Sequence, residues 1–437
     1  MRDGEHTSVE LVEEALLRID AQDEQIRAWV IVAADDALAT ARERDAELAA
    51  GRPRGPLHGI PLGIKDIVDV AGLPTAAGSE LLAKLPAEQD ATLVARLRTA
   101  GAVILGKTVT TQYACYDPPV TVNPWNRDHT PGGSSSGSAA AVASGMCLGA
   151  IGSQTGGSIT RPAAFCGIAG CKPTFGRVSL QGVLPVSGSL DHAGPLARSV
   201  RDLAILLDAI SGTDPRDPHS VDTPPPDVSA ALNRRSTERP RIGRLGGLFA
   251  TQAEPSARQS LEAVLTTLAD AGATVSETAL PACFETLHRC HRTIMAADAA
   301  TFHQHRMAEH PDDYQPRIRE LIEEGLAVAA GEYLRCREHQ RQTSREVLSC
   351  FQECDVLACP AALGPAPDVT TTGDPLFNSP WSYTGLPTVS LPVGLAETGL
   401  PLAVQLIGRP FAEAELFVAA KWCEDTLRGA QGETPLL

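Results

Sequence analysis

The sequence predicts an α/β protein built around a central β-sheet. Short apolar runs typical of strands alternate with amphipathic helical patterns near both ends of the 437-residue chain. A segment rich in glycine, serine and alanine, yet apolar in character, occupies residues 130–176. We find no internal repeat, and we expect one domain over residues 1–437.

The N-terminal elements follow from capping and periodicity. Thr7 and Glu10 have the spacing of a capping box, and apolar residues recur on one face of the helix that follows them. Residues 36–50 and 90–100 also predict helices. The strand-like runs of this region are residues 59–64, 67–70 and 102–106.

The segment 130–176 contains few large side chains. Flexible glycine- and serine-rich linkers are polar, whereas residues 139–143 and 146–151 are apolar. We therefore expect this segment to be buried. Small residues let backbones approach closely, as an active site built from loops requires.

The second half of the chain repeats the α/β pattern. Residues 202–210 predict a helix, and the proline-rich residues 213–228 predict an exposed connection. A strand is expected at residues 242–249, and a helix with one apolar face follows it. Residues 283–353 are helical in character and are expected to form the substrate side of the protein. Three more strands are expected, at residues 355–359, 389–393 and 402–407.

Composition excludes several classes of function. A net charge of −16 argues against a nucleic-acid partner, because the phosphates would be repelled. No apolar run reaches the roughly 18–20 residues of a membrane helix, and residues 1–6 lack the apolar core of a signal peptide. We therefore expect a cytoplasmic protein that binds neither nucleic acid nor membranes. Its eleven cysteines include no Cys-x-x-Cys pair, which favours buried thiols over a zinc site.

Lysine is rare in this chain. The 37 basic residues include five lysines, at positions 65, 84, 107, 172 and 421. Arginine cannot lose its proton in a protein, whereas a buried lysine can. A lysine in a motif-rich segment is therefore a candidate general base.

Two serine-containing motifs dominate the chemistry of the sequence. The run at residues 131–138 includes Gly133-Ser134-Ser135-Ser136-Gly137, and Gly156-Gly157-Ser158 follows it. A phosphate-binding loop is disfavoured because no Gly-x4-Gly-Lys-Ser/Thr is present. An α/β-hydrolase elbow needs a hydrophobic strand directly before its serine, and residues 123–130 read as a loop.

The two motifs, taken with Lys65, resemble the amidase signature family. The matching segments span nearly the whole chain and lie at residues 59–66, 130–138, 155–159, 162–167, 172–174, 385–387 and 399–410. The resemblance implies a central twisted mixed β-sheet flanked by helices on both faces, with a core signature region at residues 55–210. It implies no metal and no cofactor.

The resemblance also implies the roles of individual residues. Ser158 would be the nucleophile, Ser134 the bridging serine after a cis peptide bond, and Lys65 the base. The backbone N–H groups of Thr155, Gly156, Gly157 and Ser158 would form the oxyanion hole. Desolvation among apolar neighbours would lower the pKa of Lys65 so that it can accept a proton.

Three departures from the family pattern lie near this site. Gln154 stands where many members carry an acid, Thr160 stands where arginine is common, and residues 112–113 replace a Glu-Phe pair. Nearby aromatic residues are candidates for the substrate pocket, with a core role left open for each: Tyr113, Tyr116, Trp381 and Tyr383.

Charged residues of the same region have simpler interpretations. We expect Arg161, Asp191 and Arg198 to form structural ion pairs. The chain contains no His-Glu-x-x-His motif. We therefore expect no metal site and ordinary surface histidines at positions 288, 291, 303, 305 and 310.

The predicted function is hydrolysis of carbon–nitrogen bonds in small amides through an acyl-enzyme on Ser158. Esters and carbamates are additional candidate substrates, and a homodimer is left open. The alternative is the glutaminase subunit of an amidotransferase assembly. Such subunits usually carry aromatic-rich motifs in the helical region, which we do not find at residues 283–353.

Overall fold

The computed structural model describes residues 5–234 and 239–431. One mixed sheet of eleven strands crosses this part of the chain, in the order β1-β3-β2-β4-β6-β5-β10-β11-β9-β7-β8. The strands are β1 Trp29–Val32, β2 Pro61–Lys65, β3 Val103–Thr108, β4 Gly149–Gln154, β5 Ala169–Lys172, β6 His192–Ala197, β7 Arg241–Leu245, β8 Thr274–Thr278, β9 Val356–Pro360, β10 Thr388–Leu395 and β11 Pro401–Ile407.

Helices connect these strands and cover the sheet. They are α1 Ser8–Ile26, α2 Ala34–Ala49, α3 Thr92–Thr99, α4 Ser136–Ala143, α5 Thr160–Cys166, α6 Val200–Ile210, α7 Val228–Asn233, α8 Leu248–Thr251, α9 Pro255–Asp270, α10 Leu287–Glu309, α11 Pro316–Ala327, α12 Ala330–Glu346, α13 Ser379–Thr384 and α14 Glu413–Gln431. The capping box predicted at Thr7 is present, with the Glu10 N–H donating to Thr7 Oγ1 over 3.1 Å. No helix of the described residues is long and apolar enough to cross a membrane.

The strand directions make the sheet mixed. β2 runs parallel to both β3 and β4, and β7 runs parallel to β8 and β9. The strands between these two groups pair antiparallel. The predicted α/β class, with a mixed central sheet, is confirmed.

Alternate side chains of β3 pack into two different hydrophobic cores. Val103 and Leu105 pack with residues of α1, α2 and α4, whereas Ile104 packs in the larger core with residues of α3 and α6. Successive side chains of a strand point to opposite faces. The two cores therefore lie on opposite faces of the sheet, and helices cover both.

Two predicted strands differ from the structure. Residues 67–70 form a turn after β2, because the N–H groups of Ile67 and Val68 both donate to the carbonyl of Lys65. The strand expected at residues 242–249 ends at Leu245, since Gly247 has a left-handed φ of 60° and α8 begins after it. Phe249 then packs in the core, against Phe377.

The small residues of segment 130–176 allow close backbone packing. All of α4 is buried, as predicted for this segment. A Cβ on Gly137 would lie 2.1 Å from the carbonyl oxygen of Ala28 and 2.4 Å from the backbone nitrogen of Val109. Any side chain at residue 137 would therefore push α4 away from the backbone at Ala28 and Val109.

The proline-rich connection is anchored at its start. Asp214 and Asp217 are buried, and their carboxylates accept hydrogen bonds from Ser179 Oγ and from the N–H of Leu180. Most of residues 218–227 are exposed or half-buried. The helical region predicted at residues 283–353 contains α10, α11 and α12, with a short 3-10 turn between α10 and α11.

Gly325 of α11 tests how closely the helical region packs. A Cβ there would lie 1.9 Å from the carbonyl oxygen of Ala296 in α10, and overpacking of this kind costs about 1–3 kcal/mol. We expect Gly325→Ala to lower the midpoint of thermal unfolding. The matched control is Gly429→Ala in α14, where an added Cβ meets no atom within 4 Å; its midpoint should stay or rise, because alanine favours helix. Equal midpoints for the two variants would contradict this packing.

Candidate active site

Lys65 ends β2, a strand whose five residues are all buried. Its amine is 0% exposed and donates to Ser134 Oγ over 2.7 Å and to Ser153 Oγ over 2.8 Å. Burial lowers the pKa of Lys65 from 10.5 to about 7, against the opposing fields of Asp191 and Cys115. An amine with this pKa is largely neutral just above neutral pH, as a general base requires.

Asp66, the next residue, does not neutralise this amine. Its carboxylate lies 2.9 Å from the amine of Lys107, and it also accepts a hydrogen bond from the N–H of Ala77. Both side chains of the Asp66–Lys107 pair are buried. Of these two buried lysines, Lys107 is paired with an acid and Lys65 contacts serine hydroxyls.

Ser134 lies in the loop before α4, directly after a cis peptide bond between Gly133 and Ser134. The loop leaves no space at Gly133, because a Cβ would lie 2.8 Å from a methyl group of Thr372. The N–H of Ser135 donates to the carbonyl of Ser158 over 3.3 Å. This bond joins the two serine segments, which are separated by β4.

The segment 155–158 presents free backbone donors. Within the described residues, the N–H groups of Gly156, Gly157 and Ser158 donate to no protein acceptor. Buried backbone N–H groups are seldom left without a partner, and a run of them can bind an anionic oxygen. A Cβ at Gly157 would lie 2.7 Å from Asn378 Oδ1, which excludes larger residues there.

These donors line a narrow cavity together with Ser158. The empty space between the lining residues, its open mouth included, is about 290 Å³. The lining residues are Ala114, Cys115, Tyr116, Thr155, Gly156, Gly157, Ser158, Arg161, Met295 and Pro375. Lys65 contacts Ser134, and Ser158 is joined to the next residue, Ser135, through its carbonyl. No hydrogen bond of the described residues joins the hydroxyls of Ser134 and Ser158.

Thr155 is held from two sides. Its hydroxyl donates to Asp191 Oδ1 over 2.5 Å, and its carbonyl oxygen lies 2.9 Å from His291 Nε2. Since a carbonyl can only accept, Nε2 of His291 carries a hydrogen and donates it. Burial lowers the pKa of His291 to about 4, which keeps this ring neutral.

Two histidines of the helical region correct the sequence interpretation. His291 and His303 were expected at the surface, but they are 4% and 1% exposed. His303 Nδ1 forms a hydrogen bond with the hydroxyl of Tyr314 over 3.0 Å. No group of three or more His, Cys, Asp or Glu side chains in the described ranges could hold a metal ion.

Gln154 and Thr160, two of the departures from the family pattern, contact each other. Gln154 Oε1 accepts from the N–H of Ile159 over 2.9 Å, and from both the N–H and the hydroxyl of Thr160 over 3.0 Å. An uncharged hydrogen-bonded set therefore occupies the positions where an acid and an arginine are common. The third departure lies outside this set: the side-chain amide of Gln112 donates to the carbonyl oxygen of Asp313.

The ion pairs expected at Arg161, Asp191 and Arg198 are absent from the part of the chain that the structure describes. Asp191 instead accepts hydrogen bonds from Thr155 and from the N–H groups of Val186 and Ser187. Burial nevertheless raises its pKa to about 6. Arg161 donates hydrogen bonds to a backbone carbonyl and to a hydroxyl oxygen instead of pairing with an acid.

The four aromatic candidates occupy different environments. Tyr116 lines the cavity. Tyr113 is buried, and its hydroxyl donates to Asp313 Oδ2 over 2.6 Å. Trp381 is fully buried and stacks on Phe249, and the hydroxyl of Tyr383 donates to the carbonyl of Cys336. Of the four, only Tyr116 lines the cavity at Ser158.

Sequence reasoning missed three contributors to this site. Ser153 precedes the recognised motif, Cys115 follows an irregular turn, and Met295 comes from α10. Strand alternation could not have indicated Ser153, because Ser153 shares a face of β4 with Ile151, which pairs with Ile64 and not with Lys65. Cys115 and Met295 reach the cavity only through tertiary packing.

The chain is similar to known proteins over most of its length. The Amidase family model matches residues 10–417. The chain is 38% identical to AmiD of Mycobacterium tuberculosis, over 94% of this chain and 89% of that protein. It is 37% identical to a glutamyl-tRNA(Gln) amidotransferase subunit from Chloroflexus aggregans, over 94% and 92% of the two chains.

A solved structure extends the likeness to three dimensions. The peptide amidase of Stenotrophomonas maltophilia superposes with a TM-score of 0.88 at 34% sequence identity, covering 98% of this chain and 95% of that one. The family match spans the strands and the two serine segments and ends within the first turns of α14. This chain belongs to the amidase family.

Proposed function

We propose that this chain is a stand-alone hydrolase of small linear amides that acts through an acyl-enzyme on Ser158. The observation that carries the proposal is the buried Lys65 amine, with a pKa near 7, in contact with Ser134 Oγ. A serine hydroxyl becomes a useful nucleophile when a base can take its proton. A lysine reaches that state at neutral pH only when burial disfavours its charge.

The proposed relay balances protons in both directions. Ser158 Oγ forms a bond to the amide carbon while its proton passes to Ser134, whose own proton passes to Lys65. The oxygen of the tetrahedral intermediate accepts from the N–H groups of residues 155–158, each contributing roughly 3 kcal/mol. Lys65 then returns its proton through Ser134 to the leaving amine as the carbon–nitrogen bond breaks. Water repeats the sequence and releases the acid.

Two features support a small substrate and a cytoplasmic enzyme. The cavity beside Ser158 is narrow and is lined by Tyr116, for which we propose substrate contact. The relay uses no metal and no cofactor. All eleven cysteines are unpaired, which supports the cytoplasm as the compartment because it is reducing. Esters and carbamates offer the same carbonyl to Ser158 and are proposed as additional substrates.

A second candidate is the glutaminase subunit of an amidotransferase assembly. It is favoured by the 37% identity to a glutamyl-tRNA(Gln) amidotransferase subunit. Two observations distinguish the candidates: whether the purified chain alone hydrolyses small amides, and whether partner subunits co-purify with it. Turnover of free glutamine only in the presence of such partners would favour the second candidate.

Removal of the proposed nucleophile should abolish turnover. We expect Ser158→Ala to lose hydrolysis of a simple aliphatic amide and to lose covalent labelling by a sulfonyl fluoride, read by intact-protein mass. The matched control is Ser349→Ala, whose exposed hydroxyl donates to the carbonyl of Glu346; it should be labelled and active like the parent. Labelling of the Ser158→Ala variant would overturn the assignment.

The rate should depend on the protonation of Lys65. Because only the neutral amine can accept a proton and burial lowers its pKa to about 7, kcat/KM should rise with pH and level off above a midpoint near 7. Ser153→Ala should lower this midpoint, since the charged amine loses an acceptor. Lys65→Arg should be inactive at every pH, because arginine stays protonated.

Lys172 is the control for this assignment. Burial also lowers its pKa to about 7, and its amine donates to the carbonyl of Pro173. If Lys172→Met moves the midpoint and Ser153→Ala does not, the pH dependence belongs to Lys172 and not to Lys65.

A further inference from the structure

Arg161 is a buried cation beside the candidate nucleophile. The side chain begins one helical turn after Ser158 and is 3% exposed. Its Nη2 donates to the carbonyl of Gly133 over 2.8 Å and to Thr372 Oγ1 over 3.3 Å. The pKa of Arg161 is lowered to about 10 by burial, which leaves the guanidinium charged at neutral pH.

Two of its nitrogens have no partner. Nε and Nη1 of Arg161 are buried and form no hydrogen bond with the described residues. Their donors are costly to bury without an acceptor, and more so on a charged group. Arg161 lines the same cavity as Ser158, so the cavity is the side from which an acceptor would approach the guanidinium.

Neighbouring charged groups of the described residues supply no hydrogen-bond acceptor for these two nitrogens. Arg292, which lies over the ring of Tyr116, is paired with Glu324 over 2.7 Å. Arg161 has no carboxylate within ion-pair distance among the residues described. Asp374 raises the pKa of Arg161 from a distance, but it is exposed and its carboxylate accepts from the N–H of Leu376.

The geometry points to an anionic substrate: we infer that Arg161 is a specificity-determining residue that binds a carboxylate carried by the amide. The inference rests on the proposed function and narrows its substrate class. A guanidinium forms strong charge-assisted hydrogen bonds with a carboxylate. Nη2 of Arg161 already donates to Gly133 and Thr372. An anion in the cavity would accept from one of the two free nitrogens and balance the buried charge.

The size of the cavity limits how far that carboxylate can lie from the scissile bond. The same narrow cavity contains Arg161, Ser158 and the free N–H groups of residues 156–158. A short chain can place one end on the guanidinium and the amide on Ser158. Monoamides of short dicarboxylic acids carry the carboxylate on the acyl side, and N-acylated amino acids carry it on the amine side.

A purely structural role for Arg161 predicts different behaviour. The bond from Nη2 to Gly133 supports the loop that carries Ser134. Losing that support would slow the hydrolysis of every amide to a similar extent. Losing a carboxylate site would slow only the hydrolysis of anionic amides.

The kinetic test compares substrates of equal chain length. Succinamic acid and butyramide each have four carbons but differ in the carboxylate, and N-acetylglycine tests the amine side. We expect the parent enzyme to prefer one of the two acids over butyramide. Arg161→Gln, which keeps an amide donor for Gly133, should lower kcat/KM for that acid by about 100-fold and change butyramide by less than about threefold. Arg161→Lys should recover part of the loss.

A binding test separates this inference from the proposed function. Ser158→Ala cannot form an acyl-enzyme, yet its cavity should bind succinamic acid or N-acetylglycine in a calorimetric titration, and the Arg161→Gln double variant should not. Binding without turnover by the parent would refute the proposed hydrolase and keep the carboxylate site. Turnover of butyramide with no preference for either acid, equal losses for all substrates in Arg161→Gln, or no binding of either acid would overturn the inference.

Discussion

The amine of Lys65 lies at the end of a fully buried strand, where its hydrogen-bond partners among the described residues are the hydroxyls of Ser134 and Ser153. A shift of its pKa from 10.5 to about 7 corresponds to roughly 5 kcal/mol of preference against the charged form. The proposed relay depends on this burial, because in it the amine loses its charge and still contacts Ser134. Asp66, the next residue, is paired with Lys107, and Asp191 is the acid whose field still favours the charged form of Lys65.

Close backbone packing keeps water and large side chains away from that amine. Gly137 lets α4 contact the backbone at Ala28 and Val109, and Gly157 lets the donor segment contact Asn378. The helical region completes the enclosure, since His291 of α10 donates to the carbonyl of Thr155. The site therefore combines an inner part built from strand ends and tight loops with an outer part contributed by α10. A change in the packing of α10 would reach the donor segment through His291.

Much of this arrangement could be predicted from local sequence. The capping box at Thr7 and the burial of segment 130–176 depend on residues close together in the chain, and both are observed. The strand expected at residues 67–70 failed because the Lys65 carbonyl accepts two N–H groups and turns the chain. The environment of Arg161 could not be predicted from local sequence either. Its hydrogen-bond partners, Gly133 and Thr372, are far from it along the chain.

The distribution of lysines has a practical consequence for handling the protein. Lys65, Lys107 and Lys172 are each 0% exposed, whereas Lys84 is exposed and Lys421 is partly exposed. Reagents that acylate amines need an accessible, neutral nitrogen, and among the five lysines they can reach it only at these last two side chains. The folded protein can therefore be attached to an activated resin through Lys84 or Lys421 while its buried amine at residue 65 stays unmodified.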